Sequence, residues 1–146
     1  MGSIAHILLR GGEFMSCGDI IAIFALFISA VGVFVSVIIY LNTVNHQKKI
    51  LTIQEFSKIR ERYPDVSPNV TSDDNRLEYL KDMERFCVGI HNNIYDIEIV
   101  RDMSGHRLIK QYDSYMKDFV QSRRKISSTF LAYERYEETI EKLKKS

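Results

Sequence analysis

From Ile20 to Leu41 the chain carries twenty-two residues without a charge, bounded by Asp19 and Asn42. As a helix rising 1.5 Å per residue, such a run reaches roughly 33 Å, enough for a bilayer core of about 30 Å. A secretory signal has a shorter apolar core and a small-residue cleavage site soon after it. The pattern predicts a permanent transmembrane helix over 20–41. Beyond it Val44, Leu51, Ile53, Phe56, Ile59 and Tyr63 recur at near-helical spacing among Lys48, Lys49, Lys58, Arg60 and Glu61. The membrane helix is therefore expected to run on, as an amphipathic continuation, over 42–63.

Pro64 and Pro68 punctuate a turn-rich connector over 64–72. Ser72 with Asp73, or Thr71, is placed to cap the next helix. Its apolar positions Leu77, Leu80, Met83, Cys87, Ile90 and Ile94 step by three and four. Asn92 and Asn93, tolerant of left-handed backbone, end it. Asp96 caps a short helix from Ile97 to Met103, with Ile97, Ile99 and Val100 apolar, and Ser104-Gly105 breaks it. From His106 a longer helix presents Leu108, Ile109, Tyr112, Tyr115, Met116, Phe119 and Val120 on one broad face. Arg123-Arg124-Lys125 closes that helix, where cations suit its dipole. Ser127 or Ser128 caps a last helix with Phe130, Leu131, Tyr133, Ile140 and Leu143 apolar. No segment alternates with period two. The expected fold is all-α: one transmembrane helix, its continuation, and a helical bundle over 73–146.

Small residues inside the span are ordered. Ala22, Ala25, Ser29, Gly32 and Ser36 fall at steps of three, four, three and four. Small side chains let two backbones approach closely in lipid, so this stripe is the expected seam for self-association. A single span has no second helix of its own to pack on.

Composition narrows the partners. A chain of 146 residues holds the span and one small domain. Residues 1–19 form a short N-terminal segment; Met15 is a candidate native start, with residues 1–14 a remnant of cloning or an alternative start. Arg10 alone among the basic residues precedes the span, while His46, Lys48, Lys49, Lys58, Arg60 and Arg62 follow it closely. The positive-inside rule then puts the N-terminus outside and the bundle in the cytoplasm. Nineteen of the 20 Lys and Arg and 17 of the 19 Asp and Glu lie after the run. A net charge of about +2 there is too weak a field for general nucleic-acid binding. DNA is not an expected partner, and any RNA contact would be local. Cys17 and Cys87 fall on opposite sides of this topology and form no intrachain disulfide.

One constellation carries candidate chemistry. Arg101 and His106 are separated by Asp-Met-Ser-Gly. A histidine near neutrality exchanges protons readily, and an arginine holds phosphate oxygens in a bidentate fork. The plainer reading pairs Arg101 with Asp102 or Glu98 and sets His106 as a cap of the Ser104–Gly105 turn. His91 reads as a hydrogen-bonded residue at the core edge. His46 reads as a contact to headgroups or a neighbouring subunit. Tyr95, Tyr112, Tyr115, Tyr133 and Tyr136 belong to the interior and rim. The triplet at 123–125 reads as a solvated helix end. No phosphate loop, paired-cysteine metal site or nucleophile elbow is present, and no metal or cofactor is expected.

The Arg101–His106 spacing resembles the Arg-x4-6-His signature of HEPN domains, helical bundles of bacterial RNases and defence proteins. That resemblance implies metal-free RNA cleavage, a 2′-hydroxyl attacking the adjacent phosphate, at a site composed across a dimer. The stretch Leu77–Asp96, continued through Ile99 to Tyr112, resembles a family of small bacterial proteins with a membrane helix and a cytoplasmic helical domain of unknown function. Glu84, Gly89, Ile94, Tyr95, Asp96, Gly105 and Ile109 fall where its pattern expects them. Asn93 stands where that family often has Gly. The combination is also similar to the small membrane accessory protein of type VI-B CRISPR systems. It implies a HEPN-like bundle, a homo-oligomeric membrane pore, and an RNA-guided defence effector or RNA as partner.

Overall fold

The computed structural model describes residues 17–126 and 133–145. Among them every regular element is helical: α1 Cys17–Arg62, α2 Asp73–His91, α3 Ile97–Gln111, a π-helical turn Tyr112–Met116, α4 Lys117–Ile126 and α5 Glu134–Lys144. The chain divides into two compact units, residues 1–43 and 44–146.

In the first unit the described residues belong to α1. The uncharged run lies wholly in helix, and its large side chains are exposed, from Ile20 and Phe24 through Phe34 to Tyr40. The helix is long and apolar enough to cross a membrane. Ser29 donates to the Ala25 carbonyl at 2.9 Å, Ser36 to Gly32 at 2.8 Å and Thr43 to Ile39 at 2.8 Å. Each hydroxyl is thereby satisfied inside its own helix.

The second unit is a bundle. The remainder of α1 contributes the fully buried Thr52 and Phe56, with Ile59 and Tyr63 partly buried. Val44, Leu51 and Ile53, grouped with Phe56 by their spacing, are instead exposed at 41%, 44% and 44%. Only one narrow face of this segment turns inward. The helix stops before Pro64, and in the connector Thr71 Oγ1 donates to the Asp65 carbonyl while the Ser67 N–H donates to the Asp65 carboxylate. That turn drives Val66 into the core, fully buried.

Ser72 caps α2, its hydroxyl accepting the Asn75 N–H, and Asp73 and Asp74 complement the dipole in the first turn. Leu80, Met83 and Cys87 form the buried stripe; Leu77 and Ile90 flank it half-buried. Ile94 lies past the helix end, 51% exposed, and is not part of the stripe. Asn93 takes φ 61°, the left-handed backbone expected of it. Asp96 caps α3 by accepting the Glu98 N–H.

Ser104 interrupts the helical path as expected: with non-helical φ −167° and ψ 19° it divides α3 into two helical segments that meet at a kink, and Gly105, next to it, is buried. The long helix expected from His106 is likewise divided, because a π-helical turn intervenes before α4. The Lys117 N–H there reaches back to the Tyr112 carbonyl, and Tyr112 and Met116 both end up buried. Tyr115 is turned outward, 40% exposed. Arg76 of α2, itself buried, donates to the Tyr115 carbonyl at 3.0 Å and lies over the Phe119 ring at 4.2 Å. α5 packs against both α2 and α3 with Tyr136, Ile140 and Leu143. The expected caps Ser127 and Ser128, with Phe130 and Leu131, lie outside the described residues. α5 opens after Tyr133 at φ 70°.

Candidate functional site

Arg101 sits in the first half of α3, and its guanidinium is paired with Glu98 one turn earlier. Its aliphatic stem lies against Gly105: a Cβ there would meet Arg101 Cγ at 3.3 Å and Leu143 at 3.9 Å. Gly105 therefore makes room for the stem beneath α5. His106 follows the kink and is exposed, and among the described residues no hydrogen bond or ion pair reaches it. It does not cap the Ser104–Gly105 turn. The arginine is packed and neutralised, and the histidine is a free surface imidazole. Among the described residues no hydrogen bond joins the two side chains.

His91 is also outside the core. It ends α2 exposed, with Nδ1 3.9 Å from a Glu138 carboxylate oxygen. A more polar cluster lies where α1 meets α2. Asp82 accepts from Arg62 at 2.9 Å, from the Tyr63 hydroxyl at 3.1 Å and from Arg85 at 3.4 Å. Asp82, Arg62 and Arg85, with Glu55, Lys58 and Tyr95, line an open groove of about 250 Å³. Three cations against two carboxylates leave little net field, and Lys58 is already held by Glu55 at 2.5 Å. The groove is a structural clasp; exposed pairs of this kind contribute about 0–1 kcal/mol each.

Among the described residues neither the buried thiol nor the buried phenols are activated nucleophiles. Cys87 is buried in the core, and burial pushes its thiol up to about 12. Burial likewise raises the Tyr79 phenol to about 12. A neutral, enclosed thiol is inert toward substrates.

The residues of the resemblance pattern have architectural work instead. The Glu84 carboxylate on α2 accepts the N–H groups of Arg135 at 3.2 Å and Tyr136 at 2.8 Å, capping α5 from another helix. Gly89 faces the Tyr95 ring, where a Cβ would lie 2.3 Å from ring carbon. Tyr95 in turn stacks on Phe86 at 4.7 Å. The Asp96 N–H donates to Thr52 Oγ1 at 2.8 Å, and the same hydroxyl donates to the Lys48 carbonyl at 2.8 Å. Lys48 also donates to the Asn93 side chain. The loop 92–96 is thus tied to α1 by Lys48, which the sequence marks only as a cation after the span, and by Thr52, which its pattern does not mark. A threonine at an inward helical position, between Lys48 and Phe56, was the available signal.

On the first unit, Ala22, Ala25, Ser29, Gly32 and Ser36 are all exposed, and nothing lies within 4 Å of a Cβ built on Gly32. The stripe is open to a partner helix along its length.

These features define an all-α domain whose first helix is long and apolar enough to cross a membrane, and whose Glu84, Gly89, Tyr95 and Asp96 hold helices together. The profile of a domain of unknown function, DUF4760, matches residues 26–143, and the chain belongs to that family. No curated protein and no solved structure shows a significant match.

Proposed function

We propose that this chain is a membrane-anchored, self-associating accessory or effector protein of antiviral defence. Its cytoplasmic bundle docks a defence partner, and its spans gather into a ring that perturbs the bacterial inner membrane. The observation that carries the reading is the exposed small-residue face of α1, with open space at Gly32 and its serine hydroxyls bonded internally. In lipid such a strip favours close backbone approach because its side chains are small, and its internally bonded hydroxyls carry no unsatisfied polar group into the contact.

Anchoring, as opposed to removal of a signal, is supported by two facts. The family match starts inside the apolar run, at Leu26, and extends to Leu143. The helix that holds the run continues unbroken to Arg62. The basic residues after the run favour a cytoplasmic bundle. The defence role rests on the similarity to the type VI-B accessory protein. A ring lined by small and apolar residues without charge would conduct poorly at rest and gate by dewetting.

The alternative, a membrane-tethered metal-independent HEPN RNase with a site composed across subunits, requires Arg101 to leave Glu98, and the ion pair weighs against it. The discriminating experiment is the mass of the detergent-solubilised full chain by light scattering. A multi-subunit particle that dissociates on Gly32→Leu with Ser29→Leu is expected. A monomer, or an assembly indifferent to both substitutions, overturns the reading.

A further inference from the structure

We propose that the self-association seam does not stop at the membrane: α1 continues beyond it as a parallel coiled coil with further copies of this chain, through Ile50 and Ile53. The inference rests on the reading of α1 as a membrane anchor. In the bundle, α1 turns Thr52 and Phe56 inward. At 100° per residue Ile53 and Ile50 sit about 100° and about 160° around the helix from Thr52. They are large aliphatic side chains left exposed at 44% and 41% among the described residues.

Their phase is that of the small-residue stripe. The alternating steps of three and four from Ala22 to Ser36 continue without interruption through Ile39, Thr43, His46, Ile50, Ile53 and Ser57. A period of 3.5 residues keeps one seam facing a partner helix as the two supercoil. A helix with no partner has no use for it.

The occupant is a second copy. A single span holds all copies parallel in one membrane, so identical positions arrive at the same depth and a seam meets itself in register. Isoleucine at both seam positions favours three or more strands over two. Past Ile53 and Ser57 the next seam position is Arg60, which in register meets Arg60 of the adjacent copy, with Glu61 beside that layer to offset the charge. Arg60 and Glu61 are both exposed, and no ion pair among the described residues engages either one. The off-seam cations Lys58 and Arg62 are already paired, with Glu55 and Asp82.

Disulfide mapping tests the proposal in membranes containing the full chain with Cys17→Ser. Single cysteines are placed at Ile50, Ile53, Leu51 and Lys58, and in the span at Ser29 and Ser36, then oxidised with copper phenanthroline. Covalent dimers at 50 and 53, and their loss at 51 and 58, are expected. Equal or stronger dimers at 51 and 58 overturn it. Dimers at 29 and 36 with none at 50 and 53 overturn the extension while leaving the association of the spans standing. No dimers at any position overturn both. As an independent readout, Ile50→Glu with Ile53→Glu should lower the subunit number in detergent with an unchanged melt of the bundle; an unchanged subunit number counts against the seam.

Discussion

The Glu84 carboxylate accepts the backbone N–H of Tyr136 at 2.8 Å, so the first turn of α5 is capped by a residue fifty-two positions away. α5 opens at Tyr133, whose own side chain makes no capping bond. A carboxylate at a helix N-terminus satisfies orphan N–H groups and complements the dipole. Glu84→Ala should destabilise the bundle by about 1–2 kcal/mol, and Glu84→Gln by less, measured by urea denaturation of the full chain in detergent. Equal stability of all three proteins would remove the cap from the account.

Gly89 and Tyr95 compete for one space. A methyl at 89 enters the Tyr95 ring, which is itself stacked on Phe86. Gly89→Ala should cost about 1–3 kcal/mol, the usual range for overpacking. Adding Tyr95→Ala should make the alanine at 89 nearly free, a coupling that a double-mutant cycle reads directly.

Thr52 is a single hydroxyl holding two elements. Replacing it with Val keeps the shape but strands the Asp96 N–H inside the structure. The expected loss is about 1–3 kcal/mol, with Thr52→Ser retaining most of the wild-type stability. Faster amide exchange over 93–97 in Thr52→Val should accompany it.

Alkali should loosen the bundle. Burial raises the Cys87 thiol from 9.0 to about 12 and the Tyr79 phenol from 10.0 to about 12. Tyr112 and Tyr136 shift the same way, chiefly through burial. The unfolded chain releases these protons first, so the stability they contribute is complete below pH 9 and declines progressively as pH climbs toward 12. Thermal melts at pH 8 and pH 10.5 should differ, the second lower. In the folded protein at pH 8, Cys87 should resist alkylation.

Much of this architecture is written locally. Ser72, Asp96 and the Asn92–Asn93 pair act at short range, and the structure places each where its chemistry predicts. The apolar run at 20–41 is legible as one long apolar helix from its length and absence of charge together. What escaped were features that depend on distant partners. Tyr115 turned outward because the π-helical turn changes the phase between Tyr112 and Phe119. His91 and His106 proved exposed, which spacing alone cannot distinguish from an edge position. In the continuation of α1, Leu51 and Ile53 looked like core beside Phe56, yet the bundle covers only one side of that helix.

The central claim is a chain held permanently in a membrane by α1 with its bundle on the cytoplasmic face. Its most direct test is intact mass and protease accessibility of the protein in carbonate-washed bacterial membranes. The account predicts that the chain stays in the membrane pellet with residues 20–41 attached to the bundle, and that the bundle is digested only in inside-out vesicles. A shortened chain released into the soluble fraction, or a bundle digested from the periplasmic side, would contradict it.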